Sequence, residues 1–171
     1  MRHKAATLVA VLGLVLVAAC DGATDGTIEI AGVDYGFSGV PETAAVGAEL
    51  TFTNDSDVEV HEVVAFRIAD GEERPLEELL ELPDEETEGL IEFQGVLVAL
   101  PGEDGQNPEG EGTSIVLGEA GRYAIVCFIP QGADPAVVEE AMAGDAEGPP
   151  DMGDGIPHAF LGMAAEFQVE E

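Results

Sequence analysis

Short stretches in which apolar and polar residues alternate, separated by turn-forming residues, recur along most of the chain. Such alternation places every second side chain on one face of a strand. The predicted strands, at least seven, lie around Ile28 and Ile30, around Leu50 and Phe52, and at Val58–Phe66, Val96–Leu100, Thr113–Leu117, Gly121–Phe128 and Ala164–Val169. Many short strands with turns between them predict an all-β sandwich or barrel.

Two stretches interrupt the strand pattern and predict short helices. Arg74–Leu82 carries Pro75 in its first turn and clustered leucines. Asp134–Gly144 begins with a capping aspartate followed by proline and ends with a glycine. We therefore expect helical insertions within about residues 70–90 and 128–157.

The N-terminus is typical of an export signal. Arg2, His3 and Lys4 precede an apolar run of about 15 residues, which is shorter than the roughly 20 that span a bilayer. The run ends in Val-Ala-Ala-Cys20, which resembles a prokaryotic lipoprotein box. The alternative is an ordinary signal peptide with a cysteine near its end.

These features predict a lipoprotein signal peptide over residues 1–19, a lipidated Cys20 with a tether over residues 20–26, and a folded domain over residues 27–171. Acyl chains on Cys20 would hold that domain to the outer face of the cell membrane. The expected location is therefore extracytoplasmic, and the membrane is contacted through the lipid anchor.

The chain is strongly acidic, with 36 Asp and Glu against five Lys and Arg. Without Arg2 and Lys4, three arginines remain against those 36 acidic residues, a formal charge of −33. Such a charge excludes nucleic acid as a partner. A salt-adapted surface and a surface that attracts basic proteins are both consistent with it.

Cysteine and histidine are rare in the predicted domain. After export, Cys127 is its only cysteine, and His61 and His158 are its only histidines. Met163 follows His158 by five residues, in a loop that leads to the last predicted strand. Two imidazoles, one thiolate and one thioether form the ligand set of blue-copper electron-transfer sites.

Each residue also has an ordinary explanation when taken alone. His61 could be a hydrogen-bonded core histidine, Cys127 an inert buried thiol, and Met163 a residue that fills an irregular gap. These explanations leave unexplained why all of the histidines and the cysteine follow one another in ligand order.

Several motifs together resemble the cupredoxin family, which includes plastocyanin, amicyanin and the membrane-anchored halocyanins. They are Gly-x-Tyr-x-Ile-x-Cys ending at Cys127, His-x4-Met over residues 158–163, and an earlier His61 after a turn that contains Asn54. Residues 34–37 and 46–54 are also similar to the opening strands of the family. The resemblance covers about residues 27–171.

The resemblance implies a Greek-key β-sandwich of about seven or eight strands that holds one type 1 copper ion. His61 and His158 would be the imidazole ligands, Cys127 the thiolate and Met163 the axial ligand. It also implies single-electron transfer between extracytoplasmic redox proteins, such as a cytochrome or a membrane oxidoreductase.

The chain departs from the family pattern at two places. Residues 128–157 separate Cys127 from His158, where short cupredoxins have only a few residues. That segment contains Met142 and Met152, which are alternatives to Met163 as axial ligand. Glu62 follows His61, where plastocyanin-like sequences often have an asparagine.

The same residues are also consistent with other functions. Copper delivery or buffering, and a metal-free cupredoxin-like binding module, are the alternatives to electron transfer. An enzyme is not expected, because a second copper centre would need further histidines and a closed four-ligand site leaves no position for substrate. A cysteine hydrolase is not expected either, since Cys127 would face the core.

Overall fold

The computed structural model describes residues 26–108, 110, 112–144 and 150–171. The predicted signal peptide and Cys20 lie outside the described residues. Within the described part of the chain, no helix combines the length and the apolar composition needed to cross a bilayer.

Two β-sheets make up the body of the described structure. The strands are β1 Thr27–Val33, β2 Gly36–Ser38, β3 Thr43–Ala45, β4 Glu49–Asn54, β5 His61–Ile68, β6 Ile91–Ala99, β7 Ser114–Val116, β8 Gly121–Val126 and β9 Ala164–Glu170. One sheet has the order β2-β1-β4-β7 and the other the order β3-β9-β8-β5-β6. The chain passes repeatedly from one sheet to the other, so strands that are adjacent in sequence are often apart in space.

The core lies between the two sheets and is formed by the inward-facing residues of both. In β1 the buried positions are Ile28, Ile30 and Gly32, which alternate with more exposed residues as a half-buried strand requires. Tyr123 and Ile125 of β8 face them from the other sheet and are fully buried. The predicted all-β sandwich is confirmed.

The largest difference from the predicted strands concerns residues 58–60, which precede β5 instead of forming its first part. Asn54 Oδ1 accepts a hydrogen bond from the Ser56 amide, and Ser56 Oγ accepts from the amides of Val58 and Glu59. These local bonds compete with strand pairing. The strand therefore begins only at His61.

Two strands, β2 and β3, have three residues each and were not predicted, because alternation cannot be recognised over so short a length. Strand β6 begins at Ile91 and is longer than the predicted Val96–Leu100.

The helices are short and lie between strands. The predicted helix at residues 74–82 is observed as α1 Leu76–Leu80, and a second helix, α2 Asp84–Thr87, follows it. The third is α3 Pro135–Met142, and the Asp134 carboxylate accepts a hydrogen bond from the Ala136 amide at 2.9 Å. The predicted cap of α3 is therefore confirmed.

Asn54 connects three parts of the sandwich near His61. Its side-chain amide donates to the carbonyl oxygen of Glu59 at 2.8 Å and to that of Ala99 at 3.0 Å. Ala99 is the β6 residue that pairs with His61. The buried Asn54 side chain therefore joins the end of β4, the end of β6 and the segment that leads into β5.

We expect Asn54→Ala to lower the free energy of unfolding by about 2–4 kcal/mol, because it leaves buried carbonyl groups without their donor. Denaturant unfolding of the metal-free protein would measure the change. Asp55→Ala, at the exposed neighbouring position, is the control and should stay within about 0.5 kcal/mol of the parent protein. Equal effects of the two substitutions would contradict this role of Asn54.

Candidate metal centre

His61 is the first residue of β5, which lies between β8 and β6 in the five-stranded sheet. It lies on the same inward face as Val63 and Ala65, and its side chain is completely buried. Pairing with Ala99 of β6 fixes its backbone. The pleat of β5, which directs successive side chains to opposite faces, thus directs this imidazole into the sandwich.

Cys127 directly follows β8 and continues the inward face of Tyr123 and Ile125. Its amide donates to the Met163 carbonyl at 3.1 Å, and its carbonyl accepts from the Ala159 amide at 2.8 Å. The Glu62 amide lies 3.4 Å from Sγ and donates to it. The thiol is therefore held at the end of a strand between two other segments.

His158 opens a short 3₁₀-helix, His158–Leu161, which Gly162 ends with a φ of 115°. The His158 amide donates to the Ile129 carbonyl at 3.0 Å, and its carbonyl accepts from the Met163 amide at 3.0 Å. With the bonds of Cys127, these bonds form a backbone clamp that folds the end of the 128–157 loop onto the end of β8. Both His158 and Met163 are thereby brought to Cys127.

Further along the same loop, Gly155 makes a close approach to Gln131. A Cβ atom at Gly155 would lie 2.1 Å from the Gln131 carbonyl oxygen, so only glycine fits there. The backbone amide of Gln131 donates to the Ile156 carbonyl at 2.9 Å. The two ends of the long loop therefore run side by side next to the site.

The three polar side chains converge on a common point. Nδ1 of His61 lies 3.1 Å from Nδ1 of His158, and Sγ of Cys127 lies 3.4 Å from the same His158 nitrogen. All three donor atoms lie within 4.8 Å of one another and are buried. Among the described residues, this is the one group of three or more His, Cys, Asp or Glu side chains with such spacing.

Burial controls the protonation of these groups. It lowers the pKa of His61 to about 4, an effect to which the neighbouring His158 adds, and it lowers the pKa of His158 against the opposing influence of Glu59. Both imidazoles are therefore neutral near pH 7 and have lone pairs to donate. Burial also raises the pKa of the Cys127 thiol to about 12, so without a cation this thiol keeps its proton.

The donor set fits one copper ion. Imidazole nitrogens and a thiolate bind metals at about 2.0–2.3 Å, which requires donor atoms a few ångströms apart, as they are here. Within the described residues, Nε2 of both histidines has no hydrogen-bond partner, while both Nδ1 atoms face the common point. Two neutral imidazoles and one thiol thus converge on a buried position that a cation would fill.

Met163 is fully buried in the same apolar cluster as Cys127. Its methyl carbon and the Cδ2 atom of His61 both lie against Gly32. A Cβ atom at Gly32 would lie 3.0 Å from the Met163 methyl carbon and 3.2 Å from the His61 Cδ2 atom. Met142 and Met152 are only partly buried at the margin of that cluster.

Glu62, noted in the sequence as a departure from the family pattern, connects two segments of the site. Its carboxylate accepts a hydrogen bond from the Phe128 amide at 2.9 Å. Together with the bond from its own amide to Cys127 Sγ, this contact ties the start of β5 to the residue after the cysteine. A glutamate therefore braces the cysteine segment.

Sequence reasoning missed three residues that lie against the site: Gly32, Tyr35 and Glu59. The Tyr35 ring packs edge-to-face on His158 at a centroid distance of 5.1 Å. A Glu59 carboxylate oxygen lies 3.6 Å from His158 Nε2. The positions of Tyr35 and Glu59 depend on tertiary contacts, so nothing in the sequence indicates them. For Gly32 there was one signal, because it continues the inward-facing alternation of Ile28 and Ile30.

No protein-family model matches the chain, and no curated protein matches it in sequence. Among solved structures it is similar to a dithionite-reduced auracyanin from the photosynthetic bacterium Roseiflexus castenholzii, at 18% identity and a TM-score of 0.47 over 88% of this chain and 100% of that one. It is also similar to auracyanin A, described as a "blue" copper protein from Chloroflexus aurantiacus, at 18% identity and a TM-score of 0.47, over 84% of this chain and 98% of that one. An auracyanin B shares 14% identity at a TM-score of 0.41, over 88% of this chain and 92% of that one.

Gly32→Ala should destabilise the protein by about 1–3 kcal/mol, because the new methyl group is forced against Met163, Phe52 and His61. Denaturant unfolding measures the effect. Gly36→Ala is the matched control, since its Cβ would meet nothing nearer than 3.8 Å while the loss of a glycine from the unfolded chain is the same. Equal stabilities of the two variants would contradict close packing at Gly32.

A second prediction concerns the reactivity of the thiol. Full-length protein carrying Cys20→Ser, hereafter the single-thiol protein, retains Cys127 alone. In its metal-free folded state, a disulfide reagent at pH 8 should react on the order of 100-fold more slowly than after denaturation, because the thiol is buried and protonated.

The control for this measurement is a thiol at an exposed strand position, made by adding Cys127→Ser and Ser38→Cys to the single-thiol protein. That thiol should react at nearly the same rate before and after denaturation. Rapid labelling of Cys127 in the folded protein would show that the site is open to solvent.

Proposed function

We propose that this chain is a blue-copper protein that carries single electrons between redox proteins outside the cytoplasm. His61, His158 and Cys127 would hold one copper ion, and Met163 would be the axial ligand. Cys20 would carry the lipid that anchors the protein to the outer face of the cell membrane.

The observation that carries the proposal is the convergence of His61 Nδ1, His158 Nδ1 and Cys127 Sγ in a fully buried position. Two imidazoles and one thiolate in a near-trigonal arrangement are typical of blue-copper sites. A core histidine with an ordinary structural role would hydrogen-bond to a backbone group or to a polar side chain that is not itself a metal ligand. Here the Nδ1 atoms of the two imidazoles contact each other, and that of His158 also contacts the thiol.

The protein would act mainly by keeping its side chains in place. Copper, when bound, supplies a one-electron couple. His61 comes from a strand that is paired on both sides, whereas Cys127 and His158 are joined by the backbone clamp. Side chains held in this way change position little when the charge at the site changes, and the apolar residues around them exclude water. Both features favour rapid electron transfer.

Burial and position favour Met163 over the other two methionines as the axial ligand. Its methyl group lies against the same glycine as the His61 ring, and its backbone is bonded to both Cys127 and His158. Met142 and Met152 lie at the margin of the cluster. With four protein ligands around the ion, no position would remain for a substrate, so we propose a carrier and not an enzyme.

The proposal is tested by adding Cu(II) to the metal-free single-thiol protein in detergent and high salt. An intense visible thiolate-to-copper band should reach its maximum at one equivalent and be absent after Cys127→Ser. Met163→Leu should change the colour and the EPR spectrum, whereas Met142→Leu and Met152→Leu should not. Repeated oxidation and reduction should return the same spectrum without loss of copper.

A colourless titration would overturn the copper site and leave a metal-free binding module. Ready loss of copper to a chelator, with a normal blue band, would overturn electron transfer in favour of copper delivery or buffering.

A further inference from the structure

The outer edge of His158 is covered by a group of residues that lies outside the proposed ligand set. Nε2 of His158 is buried and lies 3.6 Å from Oε2 of Glu59, which is too long for a well-formed hydrogen bond but near enough for the carboxylate to act on the ring N–H. The Tyr35 ring packs against the same imidazole. This edge therefore faces an acidic side chain inside the protein.

The Glu59 carboxylate is held in place from several directions. The Gly132 amide donates to Oε2 at 2.9 Å, and the Tyr35 hydroxyl donates to Oε1 at 3.3 Å. Only 15% of its side chain is exposed. Its backbone is bonded to Asn54 and Ser56. Glu59 is thus an oriented carboxylate, unlike the many acidic residues that point freely into solvent.

The contacts continue to the long loop. Gln131 donates from its side-chain amide to the Tyr35 hydroxyl at 2.6 Å. We call Tyr35, Glu59, Gln131 and Gly132 the edge cluster. Its members come from the β1–β2 turn, from the segment before β5 and from the loop after Cys127, so three parts of the chain fix one carboxylate beside one imidazole.

A neutral imidazole has a single N–H, and the partner of one ring nitrogen decides which nitrogen carries it. An ionised carboxylate can only accept a hydrogen bond. With the proton on Nε2, the N–H of His158 points toward Glu59 and the lone pair of Nδ1 faces His61 and Cys127. With the proton on Nδ1, the Nε2 lone pair would face a negative charge in a buried position, which is unfavourable.

We propose that Glu59 is a positioning residue that keeps the proton of His158 on Nε2 and makes Nδ1 a more basic ligand, which donates its lone pair more strongly to a metal ion. The first part concerns the protein without metal. The second part rests on the proposed copper site: a stronger donor and a nearby negative charge stabilise the more highly charged oxidised ion, so the reduction potential is lowered.

The first part is tested on metal-free single-thiol protein near pH 7.5, with long-range proton–nitrogen NMR spectra of the imidazole rings and His158→Asn to assign the signals. The parent protein should show His158 protonated on Nε2. Glu59→Gln keeps an acceptor oxygen and should keep this tautomer. Glu59→Leu has no acceptor and should shift the population toward protonation on Nδ1.

Asp57→Asn is the matched control, because it removes one negative charge from the same segment at an exposed position. It should leave the His158 tautomer unchanged. The proposal is overturned if the parent protein carries the proton on Nδ1, or if Glu59→Leu shows the same tautomer population as the parent.

The second part is tested on the copper-loaded protein by measuring its reduction potential. Glu59→Gln should raise the potential by clearly more than Asp57→Asn does, at the same ionic strength. Equal shifts in the two variants would overturn the electronic role of Glu59. If the protein takes up no copper, the proposed function fails, while the NMR spectra still decide whether Glu59 fixes the tautomer.

Discussion

The backbone clamp between the end of β8 and the His158–Met163 turn is the contact on which the rest of the site depends. Cys127 exchanges hydrogen bonds with Met163 and Ala159, and His158 is bonded to Ile129 and Met163. These are main-chain bonds, so they do not depend on the identity of the side chains at these positions. They convert a separation of 31 residues between Cys127 and His158 into a contact of 3.4 Å.

Other residues position the side chains around the group that the clamp brings together. Gly32 allows Met163 and the His61 ring to approach β1, and Asn54 fixes the segment that leads into β5. Two glutamates have inward-directed roles, whereas most of the other acidic residues that the structure describes are exposed: Glu62 binds the Phe128 amide, and Glu59 lies beside His158. Against the background of a strongly acidic composition, such individual roles cannot be recognised by counting charges.

The sandwich could be predicted because inward positions alternate clearly in β1 and β4 and because β5 and β8 are apolar runs bounded by turn residues. The convergence of the two histidines and the cysteine could be anticipated from their rarity and from their order along the chain. The contacts of Glu59 and Tyr35 could not, since they depend on how the β1–β2 turn packs against the segment before β5. Strand β5 begins later than predicted because the side-chain oxygens of Asn54 and Ser56 accept hydrogen bonds from the amides of Ser56 and Val58, which competes with strand pairing at Val58. Alternation reports which side chains face inward, but it contains no information on competing local bonds.

The two imidazoles that face each other lie 97 residues apart in sequence. Any ion held by both would bridge a loop of that length in the folded protein only, because unfolding separates the two histidines and releases the ion. Such an ion stabilises the folded state by mass action, by about 2.7 kcal/mol when its free concentration is 100 times its Kd. Loading and unloading the site would therefore change the stability of the folded protein as well as its contents.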